Sequence, residues 1–117
     1  RRLPLVKINS LKKENEFKRV FQKGDVFGNK AFVFYYIKND LGENRLGIIV
    51  SKKVSKRAVI RNKIKRRTKE AYRRNEDSFS KGYDIILIAK ESITQVPFSS
   101  LEKSLIHLFY KKNLMRP

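Results

Sequence analysis

The sequence predicts an α+β fold, a four-stranded sheet packed with three helices in α-β-β-β-α-β-α order. Three observations carry that prediction. Apolar residues recur at helical steps over residues 11–23, 58–74 and 98–112, and they alternate with period two between residues 25 and 50. Residues 83–90, YDIILIAK, form an almost unbroken apolar run of strand length. At 117 residues the chain can bury one modest core but not two, so 1–117 reads as a single domain.

Taken in order, residues 1–10 show no periodicity and read as a mobile basic arm or an extended lead-in. In the first helix, LKKENEFKRVFQK, the residues Leu11, Phe17, Val20 and Phe21 share helical spacing, and Gly24 is placed to stop it. Phe17 and Phe21 lie one turn apart on one side, which by spacing reads as a core stripe. Residues 25–27 make a short strand closed by Gly28, residues 30–38 (KAFVFYYIK) a strong aromatic and branched one, and residues 45–51 a third. The turn-rich segment 39–44 is expected to join the last two as an antiparallel hairpin. Alternation puts Phe32, Phe34 and Tyr36 on one face and Ala31, Val33, Tyr35 and Ile37 on the other. Both faces are apolar. Helices are expected to cover one and to leave the other partly open and aromatic, as a platform for single-stranded RNA requires. Residues 75–82 are a polar link and 92–97 a loop; the last helix should turn Leu101, Leu105, Leu108 and Phe109 inward.

Charge points to the partner. The formal net charge is +18 and the isoelectric point near 10.4. Nucleic acid is the first inference from that balance and an anionic membrane surface the second. Residues 51–74 hold twelve of the 29 lysines and arginines against one acid, Glu70. Within that stretch Ile60, Ile64, Thr68, Ala71 and Tyr72 mark a core side, while Asn62, Lys65, Arg66, Lys69 and Arg73 fall on the opposite side. Arg66, Glu70 and Arg74 are spaced for i,i+4 pairs. Such a helix presents a cationic face suited to a phosphate backbone.

The run SKKVSKRAVIRNKIKRRTKE resembles the signature of the bacterial ribonuclease P protein subunit: S-K-K, a short glycine or polar link, then A-V-x-R-N-R-x-K-R-x-x-R-E. Arg61, Asn62, Lys65, Arg66 and Glu70 match it, and the likeness extends over about residues 11–107. Lys63 and Lys69 stand where that pattern has Arg, keeping the charge but losing the bidentate fork. The resemblance implies a ribosomal protein S5 domain 2-like fold with a left-handed β-α-β crossover, where general rules favour a right-handed one. It implies that Arg57, Arg61, Asn62, Lys63, Lys65, Arg66 and Lys69 meet the catalytic RNA. It also implies that Phe17, Phe21, Tyr35, Ser51, Lys52 and Lys90 line a groove for the 5′ leader of precursor tRNA. The expected partners are therefore the catalytic RNA, one protein to each, and precursor tRNA, with Mg2+ used through the RNA and no cofactor bound by the protein alone.

The residues agree with a chain that brings no chemistry of its own. Cysteine is absent, which excludes a disulfide framework, a thiol nucleophile and a cysteine metal site. His107 is the single histidine and reads as structural or surface, because acid/base work needs a poised partner. Asp and Glu are scattered, so no catalytic group and no metal site is expected. No apolar run is long enough to span a bilayer and no membrane is expected as partner; the chain reads as cytoplasmic. A ribosomal or other structural RNA-binding protein is the alternative. A stand-alone nuclease would need the carboxylate cluster or histidine pair that is missing.

Overall fold

The computed structural model describes residues 8–117. Helix α1 (Glu14–Lys23) leads into strands β1 (Asp25–Gly28), β2 (Phe32–Lys38) and β3 (Arg45–Ile49). Helix α2 (Ala58–Asn75), strand β4 (Tyr83–Ala89) and helix α3 (Phe98–Lys111) follow, with short 3-10 turns at Glu76–Ser78 and Glu91–Gln95. This is the expected α-β-β-β-α-β-α order, in a mixed sheet.

The first helix begins at Glu14 rather than at Leu11. The Glu16 carboxylate accepts the backbone N–H groups of Lys12 and Lys13 at 2.8 and 3.0 Å, ending the extended chain and starting the helix. Upstream, Leu46 N–H donates to the Asn9 carbonyl and Leu11 N–H to the Leu46 carbonyl, at 2.9 and 3.1 Å. Residues 8–11 are thus an extended lead-in held on the edge of β3, and Leu11 is buried from there and not from the helix. Residues 1–7 of the expected basic arm lie outside the described residues.

The hairpin expected from segment 39–44 does not form. The strand order is β1-β2-β4-β3: β4 inserts between the two, antiparallel to β2 and parallel to β3. The physical reason lies in β4, whose Ile85, Ile86 and Leu87 are completely buried. Such a run is satisfied at the sheet centre, with a neighbour on each side. Segment 39–44 crosses over the space β4 fills, turning through Asp40 and Gly42 at φ 61° and 74°.

Alternation then separates two faces. Phe32, Phe34 and Tyr36 join Leu46, Ile85 and Leu87 under α2 and α3, which contribute Ile64, Ala71, Tyr72, Leu101, Leu105, Leu108 and Phe109. Ala31 belongs to this main core, not to the face of Val33, because it precedes β2 in the turn where Asn29 Oδ1 accepts the Ala31 and Phe32 N–H groups at 3.0 Å. Thr68, buried in α2, returns its hydroxyl to the Ile64 carbonyl at 2.8 Å. The other face carries a small cluster of Leu11, Val20 and Ile86 beneath α1.

Candidate nucleic-acid interface

The face beneath α1 is built from alternate residues of four strands. Register places Val26 beside Tyr35, Tyr35 beside Ile86 and Ile86 beside Gly47; one step along, Gly28, Val33, Ile88 and Ile49 form the next row. Helix α1 is pinned at the Arg45 end of this face. Arg45 donates to Glu16 at 2.7 Å and grips both oxygens of Asp84 at 2.8 and 2.7 Å. Arg19 reaches Asp84 and the Lys38 carbonyl, at 3.4 and 2.9 Å. Asn39 completes the shell of the fully buried Asp84 carboxylate at 2.9 Å. The two backbone N–H groups, with Arg45 beside them, hold the Glu16 carboxyl below its usual range. Asp84 keeps Arg45 firmly protonated.

Past this anchor the sheet is only half covered: Val33, Ile49 and Ile88 are half-buried and Val26 is exposed. Phe21 stands at the border, 39% exposed, with its ring edge-on to Tyr35 at 4.9 Å between centroids. Phe17 lies directly on Gly47, where a Cβ would meet its ring at 2.6 Å. Gly47 is therefore a site residue that sequence reasoning passed over; a glycine inside a β run was the available signal. Because β3 and β4 are parallel, Ser51 and Lys52 leave the sheet at the same end as Lys90, and all three are exposed. The Lys90 ammonium comes within 3.6 Å of the space above Gly28, so its side chain spans toward the far edge strand. The structure thus sets Phe17, Phe21 and Tyr35 on this face, and Ser51, Lys52 and Lys90 at one end of the sheet.

Helix α2 turns its apolar side to the main core and exposes Asn62, Lys63, Lys65, Arg66 and Lys69. The expected pairs from Glu70 to Arg66 and Arg74 are not made. Glu70 pairs with Arg73, and Arg74 reaches Glu102 on α3 at 3.5 Å while stacking on Phe98. Tertiary contact with α3 wins over the local pair, and Arg66 is left without a carboxylate among the described residues. Arg61 uses one guanidinium nitrogen to bind the Ser55 and Lys56 carbonyls, each at 2.9 Å, which folds the basic loop back onto the helix start. Arg57, at the N-cap, has no side-chain capping bond, and the first turn carries no acid. Cations at the positive end of a helix are unfavourable until an anion is bound.

The two surfaces meet. A cleft of about 500 Å³ runs along the β3 edge, with Phe17, Gly47 and Leu11 on one side and Asn62, Lys65, Arg66 and Lys69 on the other. Among the described residues no group of three or more His, Asp or Glu could hold a metal ion. His107 is exposed on α3, its Nδ1 3.4 Å from the Asn29 amide. The arrangement offers stacking, cation contacts and backbone edges.

A family model described as Ribonuclease P matches residues 5–113. The ribonuclease P protein component of Clostridium botulinum is 42% identical over 110 residues, covering 93% of this chain and 98% of that one. The solved Staphylococcus aureus RNase P protein superposes with a TM-score of 0.84 at 33% identity, covering 94% of this chain and all of that one. The RNase P protein from Thermotoga maritima superposes with a TM-score of 0.81 at 32% identity, covering 88% of this chain and 96% of the other.

Proposed function

The chain belongs to the bacterial ribonuclease P protein family, the protein component of an RNA-catalysed endoribonuclease of tRNA processing, and from that premise we propose that its two surfaces divide the RNA between them. The cationic face of α2, through Arg57, Arg61, Asn62, Lys63, Lys65, Arg66 and Lys69, lies against the catalytic RNA. The half-open sheet face, through Phe17, Phe21, Tyr35, Ser51, Lys52 and Lys90, holds the extended 5′ leader of precursor tRNA. Aromatic rings stack on bases without demanding a sequence, and the lysines track phosphates. Hydrolysis belongs to the RNA, with magnesium bound there; the protein lowers the magnesium needed because its charge screens the repulsion between two polyanions. One protein serves each RNA, in the cytoplasm where tRNA precursors are made.

The observation that carries this reading is the pairing of Phe21 with Tyr35 on a half-covered apolar face beside a cationic helix. The test compares precursor with mature tRNA. In the reconstituted ribonucleoprotein, Phe21→Ala and Tyr35→Ala should weaken precursor tRNA by about 1–3 kcal/mol each and spare mature tRNA. Equal losses for both substrates would place the leader elsewhere.

A further inference from the structure

The cleft beside β3 has a feature that neither of its walls explains. Leu46 turns its N–H and carbonyl outward, where Asn9 and Leu11 bind them. Alternation along a strand turns the same two groups of Ile48 to the same side. Among the described residues no backbone or side-chain group bonds them, and Ile48 lines the cleft. A donor and an acceptor, side by side on a rigid strand, therefore face the cleft between the ring of Phe17 and the cations of α2. No carboxylate among the described residues pairs with Lys65, Arg66 or Lys69.

An open strand edge ordinarily invites another strand. Here the free edge is short: the lead-in occupies Leu46, and β3 ends at Ile49, close to the turn that bonds Val54 N–H to the Ser51 carbonyl. An added strand would gain too short a ladder to be held. A planar heterocycle needs no more than one donor and one acceptor on its edge, an apolar surface for its face, and cations for the phosphate it carries. The cleft, at about 500 Å³, lies within the range of small-ligand sites.

We propose that this cleft is a single-nucleotide slot, taking one unpaired base between Phe17 and the free edge of Ile48 and its phosphate on Lys65, Arg66 and Lys69. The inference rests on the RNA-binding reading above and adds a distinct contact to it. The nucleotide is either one residue of the bound RNA or a free mononucleotide, since both present the same base and phosphate.

The full chain, isotope-labelled, is titrated with adenosine 5′-monophosphate, with inorganic phosphate and with an extended acidic peptide, and backbone amide shifts are read residue by residue. The nucleotide should move the Gly47 and Ile48 amides saturably, whereas inorganic phosphate should move only residues of α2. Replacing the phosphate ligands, Arg66→Gln with Lys69→Gln, should weaken the nucleotide roughly tenfold or more, as expected for lost charge-assisted hydrogen bonds. If the occupant is part of the RNA, adding ribonuclease P RNA releases the mononucleotide; if it is a free ligand, the ribonucleoprotein still binds it with the Ile48 shift intact. An Ile48 amide that stays still while α2 titrates overturns the slot, and so does an acidic peptide that moves it where the nucleotide does not. Binding of ribonuclease P RNA, followed by fluorescence anisotropy on the same samples, separates the two readings: retained binding with a silent Ile48 removes the slot alone, and lost binding removes the RNA-facing surface itself.

Discussion

The two faces of one sheet are built from the same strands and share a residue alphabet, yet they end in opposite conditions. Under α2 and α3, nineteen residues form a closed core; under α1, three are buried and the rest of the face is half covered. On the closed face aromatics meet each other, as Phe79 and Phe109 do, stacked at 3.7 Å and fully buried. On the open face Phe21 meets Tyr35 and leaves 39% of its surface to solvent. Sequence composition alone does not separate stability from binding in such a sheet. Coverage does, and α1 is short enough, at ten residues, to cover only part of it.

The largest expected effect comes from breaking the closed face. Phe109→Ala removes a ring that contacts Phe34, Tyr72 and Phe79 and should cost about 3–5 kcal/mol in urea unfolding. Precursor and mature tRNA should be affected alike, through the folded fraction. A loss confined to precursor tRNA would dissolve the division between the faces.

Next is the anchor that holds α1 over the open face. Arg45→Met strips a fully buried Asp84 of its bidentate partner, leaving Arg19 at 3.4 Å, and should cost about 3 kcal/mol. Because the anchor also sets where Phe17 and Phe21 stand, leader affinity should fall beyond what stability explains. Unchanged leader affinity in the folded variant would show that the groove does not depend on how α1 is pinned.

Gly47→Ala sharpens the comparison on the open side. A Cβ there collides with the Phe17 ring at 2.6 and 2.9 Å, and the ring, at a half-open surface, has room to move. Stability should fall by only about 1 kcal/mol, while precursor tRNA binding falls and mature tRNA binding holds. A stability loss as large as that of Phe109→Ala would mean that the open face is packed as tightly as the closed one.

The smallest effect is one of pH. The folded state lowers the Glu16 pKa through the N–H groups of Lys12 and Lys13, so Glu16 contributes stability above its ordinary value and loses it as the pH falls through the lowered one. Below pH 4.5 the start of α1 should loosen first, seen as faster hydrogen exchange at Lys12 and Lys13. Glu16→Gln should abolish that acid-dependent step and leave the closed core unaffected. Exchange that rises equally at Leu87 would mean global unfolding instead.

What the sequence determined by itself is what local physics controls. Helical spacing placed Ile64, Thr68, Ala71 and Tyr72 inward on α2 and its cations outward; strand alternation assigned Phe32, Phe34 and Tyr36 to one face; the basic run carried the family likeness. Each of these depends on neighbours within a few residues. Tertiary structure decided the rest. Segment 39–44 has the composition of a hairpin turn, but β4, forty residues on, takes the place between the two strands because only the sheet centre satisfies Ile85, Ile86 and Leu87. Glu70 sits at the right spacing for Arg74, but Glu102 of α3 lies closer to hand. Asp84 reads as an acid out of place in an apolar strand until Arg45, Arg19 and Asn39 converge on it. The cleft over Gly47 is lined by residues of the lead-in, α1, β3 and α2, which only packing brings together. Strand pairing, ion partners and clefts are set by groups distant in sequence, whose competition for one place is resolved only when the chain packs.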